Sequence, residues 1–88
     1  MFSYVYILRS LHDDKFYVGC TNDLKKRLRE HNVGKSCATK RRTPFHLFCY
    51  EAYPHRLDVE TRERFFKTGW GRQYIQRALR HYLSSVKT

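Results

Sequence analysis

Two runs rich in aromatic and β-branched residues, Ser3-Tyr-Val-Tyr-Ile-Leu-Arg9 and Phe16-Tyr-Val-Gly-Cys20, stand on either side of a polar connection, Ser10–Lys15. Such composition favours extended backbone, and Asp13-Asp14 supplies turn residues between the runs, so the pattern predicts an antiparallel hairpin. Alternation places Tyr4, Tyr6 and Leu8 on one face of the first strand and Val5 and Ile7 on the other. Both faces are apolar, so both require a covering layer. The hairpin can bring Tyr6 and Tyr17 together. Tyrosines paired in this way are ordinary packing and imply no chemistry by themselves.

Thr21-Asn22-Asp23 then offers helix-capping side chains. The helix they start is predicted over about Asp23 to Asn32, with Gly34 as its C-terminal breaker. On it Leu24 and Leu28 stand four apart on one face, and Arg27 and His31 stand four apart on an adjacent face. A phenol ends a strand, and a guanidinium and an imidazole rise from the next helix; a phosphate could be held and attacked there. The same residues also read as a core tyrosine, a solvated arginine and a histidine complementing the helix dipole. This stretch alone leaves both readings open.

The rest of the chain completes a small layered fold. Gly34–Thr43 is a polar, basic loop carrying Lys35, Lys40, Arg41 and Arg42, suited to backbone contacts with a nucleic acid. Gly34-Lys-Ser36 is not a Walker A loop, because Arg29 occupies the place of its first glycine and no strand leads into it. A third strand is predicted at Phe45–Tyr53, between Pro44 and Pro54, and a second helix from about Arg56 to Thr68. On that helix Glu63 shares a side with Val59 and Phe66, an odd direction for a carboxylate without a task or a partner. The plain alternative is a rim salt bridge with Arg62, Lys67 or a more distant arginine. Gly69-Trp70-Gly71 is expected to break the helix, and Arg72 to Leu83 to form the last one, with Tyr74, Ile75, Ala78, Leu79 and Tyr82 as a docking stripe. The order ββαβαα predicts one α+β domain over residues 1–88, a small three-stranded antiparallel sheet with about three helices.

Charge narrows the partners. Lys and Arg number 18 against 8 Asp and Glu, a net charge of +10. This favours a polyanion, and nucleic acid comes before membrane because no long amphipathic basic helix occurs. Lys25, Lys26, Lys67 and Arg72 join the loop cations as candidate contacts. No apolar run approaches the roughly 18 residues of a membrane span. Cys20, Cys37 and Cys49 have neither disulfide-framework nor zinc-ligand spacing. Reduced thiols and no secretory leader pattern give the expectation of a cytoplasmic protein, nucleoid-associated or nuclear settings included, and not a secreted one.

Taken together, these residues resemble the GIY-YIG nuclease superfamily, in particular small stand-alone members related to the nuclease domain of the bacterial excinuclease. Tyr4-Val5-Tyr6 stands where the family has Gly-Ile-Tyr, and Tyr17-Val18-Gly19 where it has Tyr-Ile-Gly. Arg27 to His31 matches its Arg-x-x-x-His, Thr39 to Leu47 its loop into the third strand, and Arg62-Glu63 its later helix. Lys67 to Arg72 is similar to a segment of the small members. The resemblance implies a metal-dependent endonuclease acting on DNA, with branched, nicked or single-stranded sites as candidate substrates and RNA left open. It implies that Glu63 holds Mg²⁺ or Mn²⁺, that Arg27 clamps phosphate oxygens, and that Tyr6, Tyr17 and His31 orient or deprotonate the attacking water. Tyr6 ranks first as base, with Tyr17 aligning the water and His31 assisting. A phenol titrating near about 10 is a poor base at neutral pH unless a cation lowers it, and Arg27, His31 or the metal is the expected source. Two departures stand out: Tyr4 replaces the family's glycine, and the further polar site residue has only Lys67 and Arg72 as candidates. The alternatives are a catalytically inactive basic nucleic-acid-binding module of the same fold, or a subunit needing a protein partner for targeting.

Overall fold

A computed structural model describes residues 1–85, in the order β1 (Ser3–Ser10), β2 (Phe16–Thr21), α1 (Leu24–Asn32), β3 (Phe45–Tyr53), α2 (Arg56–Phe66), α3 (Gly69–Ala78) and α4 (Arg80–Ser85). The three strands make one antiparallel sheet in the order β2-β1-β3. The expected hairpin forms, with Tyr6 opposite Gly19 and Leu8 opposite Tyr17. Asp14 adopts φ 61° in its turn, a conformation that aspartate tolerates better than most residues. The most apolar strand lies in the centre, and β2 is left as an edge.

Each face of β1 acquires its cover. Val5 and Ile7 pack with Val18, Val59 of α2, Phe66 and Ile75 of α3. Tyr6 and Leu8 pack on the other side with Phe45, Tyr17, and Leu24 and Leu28 of α1. The structure is therefore α+β, with α1 on one face of the sheet and α2 and α3 on the other.

Helix ends follow from caps. The Asp23 carboxylate accepts the Lys26 N–H at 3.2 Å to start α1, and Gly34 at φ +81° ends its run. The expected helix to Thr68 stops at Phe66, because the Thr68 hydroxyl accepts the Gly71 N–H at 3.1 Å and caps the next helix instead. Gly69-Trp70-Gly71 thus forms the first turn of α3 and is not a break. Gly71 is a requirement of space: a Cβ there would run into the Phe65 carbonyl oxygen. The single last helix expected over Arg72 to Leu83 divides at Leu79 into α3 and α4. Its stripe docks as foreseen through buried Ile75, while Tyr82 meets Phe48 with ring centres 5.1 Å apart and Tyr74 lies against Phe65 and Phe66. No helix among the described residues is long and apolar enough to cross a membrane.

Candidate active site

The site is built on the strand pairing. Because Tyr6 lies opposite Gly19, its phenol crosses β2 at the place where any side chain on residue 19 would collide with it. The ring thereby reaches α1. Its hydroxyl lies 2.9 Å from His31 Nε2 and 3.4 Å from Arg27 Nε. On the far side of the imidazole, His31 Nδ1 lies 2.6 Å from Thr39 Oγ1. Tyr17 stands edge-on to the same imidazole, with ring centres 5.1 Å apart, and Phe45 flanks it at 6.0 Å.

The direction of these bonds follows from the donors and from the tautomer of His31. An arginine Nε–H only donates, so the Tyr6 oxygen accepts from Arg27. The Tyr6 hydroxyl donates to His31 Nε2 when the imidazole proton is on Nδ1 and accepts from Nε2–H in the other tautomer. In the Nδ1–H tautomer the imidazole donates to the Thr39 hydroxyl, and in the other it accepts from it. Tyr6 and His31 are 2% and 0% exposed. Burial, with the nearby Arg27 charge, holds the imidazole below its ordinary range, which favours its neutral form. His31 is therefore no solvated helix-end charge. Burial also raises the Tyr6 phenol above 10, outweighing the Arg27 guanidinium that acts against it. Of the expected cations, Arg27 alone does not bring this phenol down. Arg27 itself stays partly in solvent, 34% exposed, and pairs with Glu30 at 3.3 Å.

Thr39 is the site residue that sequence reasoning missed. It is completely buried, although it sits in the basic loop. Its eight-residue separation from His31 matches no helix or strand period, and only the reversal at Gly34 brings the two together. The signal available was weak: a small hydroxyl residue among cations, otherwise ordinary in a loop.

Glu63 stands apart from the cluster. It lies on α2, across the sheet, and pairs with Lys67 Nζ at 3.2 Å, so the rim salt bridge is the contact it makes. It also faces Cys20, whose thiol burial and the Glu63 carboxylate push up to about 12. Gly19 and Cys20 are successive residues of β2 and so point to opposite faces. One strand therefore has the Tyr6 phenol over one face and the Glu63 carboxylate at the other. Arg62 is engaged elsewhere, bonded to both oxygens of Glu51 at 2.8 and 2.9 Å. No group of three or more His, Cys, Asp or Glu fit to hold a metal occurs among the described residues. A single carboxylate, one quarter exposed, still suits Mg²⁺, which keeps several waters and uses one or two carboxylates plus phosphate oxygens.

The candidate phosphate contacts Lys25, Lys26, Lys35, Lys40 and Arg41 are all exposed, as are Lys67 and Arg72 near the α2–α3 junction. Arg42 is half-buried instead. It pairs with Asp13 at 2.7 Å, bonds the Phe16 carbonyl and lies over the Phe45 ring, tying the loop to the hairpin.

The model of the GIY-YIG catalytic domain matches residues 2–75. The chain is 39% identical over 71 residues to a UPF0213 protein of Bacillus pumilus, spanning 80% of this chain and 70% of that one. It is 35% identical over 75 residues to a UPF0213 protein of Clostridium perfringens, spanning 84% and 80%. The solution NMR structure of a UPF0213 protein of Bacillus halodurans aligns with 99% of this chain and 86% of its own, at 31% identity and a TM-score of 0.47. The matched span contains Tyr6, Tyr17, Arg27, His31 and Glu63, and the chain belongs to the GIY-YIG family.

Proposed function

We propose that the protein is a divalent-metal-dependent endonuclease that hydrolyses phosphodiester bonds in DNA. The observation that carries this reading is the buried bond chain from Arg27 through Tyr6 to His31, whose imidazole is held toward its neutral form. Hydrolysis needs a base for water and a cation for the charge that develops on phosphorus oxygens. The Tyr6 oxygen takes a proton from the attacking water while its own hydroxyl proton passes to His31 Nε2. No phenolate has to exist beforehand, so the raised phenol pKa is no obstacle. Thr39 keeps the imidazole in the tautomer that leaves Nε2 free. Arg27, the partly exposed member of the chain, holds the non-bridging oxygens with its planar fork. Tyr17, packed on the imidazole, aligns the water. Glu63 would hold Mg²⁺ or Mn²⁺, which when bound supplies charge neutralisation at the leaving oxygen. Lys25, Lys26, Lys35, Lys40 and Arg41 hold the strand by its backbone, and substrate choice rests with this surface or a protein partner. The pairing of Glu63 with Lys67 favours the alternative, an inactive binding module of the same fold.

A cleavage panel separates the two. Duplex, nicked, flapped and single-stranded DNA are incubated with Mg²⁺, Mn²⁺ or EDTA and with wild type or Glu63→Ala. Metal-dependent cleavage by wild type, lost in Glu63→Ala while DNA binding persists, is the expected result. Binding without cleavage under any metal would establish the inactive module.

A further inference from the structure

Along the free edge of β2 runs a cleft of about 630 Å³, a size typical of small-ligand sites, which span roughly 300–1,000 Å³. Phe16, Val18, Phe66 and Ile75 make an apolar floor, and Lys15, Arg42, Lys67 and Arg72 line it as cations. Asp14 is the one carboxylate of the lining, and Arg9 neutralises it at 2.8 Å. Arg42 and Lys67 are matched by Asp13 and Glu63. Lys15 and Arg72 have no ion pair among the described residues, so the cleft keeps an uncompensated positive charge. Tyr17 belongs to the lining as well. Its ring stands against His31, so at the β2 edge Tyr17 is the residue shared by the cleft, whose floor lies on one face of the sheet, and the Tyr6–His31 pair on the other.

Carbon floor and unmatched cations together fit one kind of ligand. A nucleotide presents a flat base to apolar surface and a phosphate to ammonium and guanidinium groups. A base inside a duplex cannot enter without leaving its stack, whereas an unpaired one enters freely. We propose that this cleft receives an unpaired nucleotide of the DNA strand being cut, its base on the Phe16–Phe66 floor and its phosphates at Lys15 and Arg72. A nucleotide seated there brings the strand to the β2 edge that Tyr17 shares with the bond chain, so cleavage falls beside single-stranded or flapped segments. The proposal rests on the nuclease reading for its consequence, though not for the binding itself.

The test measures binding in EDTA, where a metal-dependent enzyme is silent. Fluorescence anisotropy compares an oligothymidylate, an abasic strand of equal length and charge, and a blunt duplex. The abasic strand should bind about tenfold more weakly than the oligothymidylate at matched salt, since base stacking is lost while the phosphates remain. Lys15→Ala and Arg72→Ala, both at exposed positions where folding is not at stake, should each weaken oligothymidylate binding several-fold. A 4-thiothymidine strand should photocrosslink to the Phe16–Val18 segment or to Phe66-Lys67. Equal affinity for abasic and thymidylate strands, or crosslinks confined to residues outside the cleft, would overturn the proposal. Base-dependent binding with no cleavage under any metal would sink the nuclease reading and leave the cleft standing. Cleavage without base-dependent binding would do the reverse.

Discussion

A histidine four residues beyond an arginine on a short helix ordinarily meets solvent, yet His31 is enclosed by Tyr6, Tyr17, Phe45 and Thr39. Its enclosure has a measurable signature. In the unfolded chain the imidazole protonates near its ordinary 6.5, whereas in the fold it resists protonation to lower pH. Between those two values the unfolded state binds more protons, so His31's contribution to stability is complete above 6.5 and is lost as pH falls through the lowered folded value. The depressed carboxylates of Asp13 and Glu51 act only at more acidic pH, below the ordinary carboxylate range. The melting temperature should therefore fall between about pH 7.5 and pH 5, and His31→Gln should flatten that slope; a level wild-type curve would contradict a buried neutral imidazole. Thr39 belongs to the same argument. Thr39→Val keeps the shape and leaves His31 Nδ1 without its partner, at an expected cost of about 1–3 kcal/mol in denaturant melts, most of which Thr39→Ser should restore.

Among the elements, β2 carries the most constraint, because a tyrosine from its neighbour lies across it. Gly19→Ala should push the Tyr6 ring off the strand and destabilise the protein by about 1–3 kcal/mol. Repeated in a Tyr6→Ala background the same substitution should cost almost nothing; equal losses in both backgrounds would show that the ring is not the obstacle. What the sequence reveals of this arrangement is what local periods encode. Two-residue alternation places Tyr6 with Tyr4 and Leu8 on one face of β1, and four-residue spacing places Arg27 and His31 on one side of α1, while the register that sets Tyr17 opposite Leu8 is seen only in the fold. Sheet order is invisible to such periods, so the position of β1 between β2 and β3 has no local signature. The same holds for Thr39, which reaches His31 only through the turn at Gly34. Gly69-Trp70-Gly71 misleads for a different reason: weak helix formers there are overridden by the Thr68 cap and by the close approach of Gly71 to α2. Glu63 was legible as a carboxylate sharing a side with core residues, while its ion pair with Lys67 was one of several open choices.

At the scale of the molecule, a net charge of +10 ensures a steep salt dependence of DNA binding whether or not the chain cleaves, because each neutralised phosphate releases counterions. Binding alone therefore cannot distinguish a nuclease from a basic module, and the decision falls to the bond chain from Arg27 to His31. The most direct measurement is the nicking rate of a supercoiled plasmid with Mg²⁺, wild type against Tyr6→Phe, at protein concentrations giving equal DNA occupancy. The substitution removes one oxygen from a buried ring and no charge. Loss of the relay should slow nicking by about 100- to 10,000-fold with binding retained. Nicking by Tyr6→Phe at the wild-type rate would contradict the account.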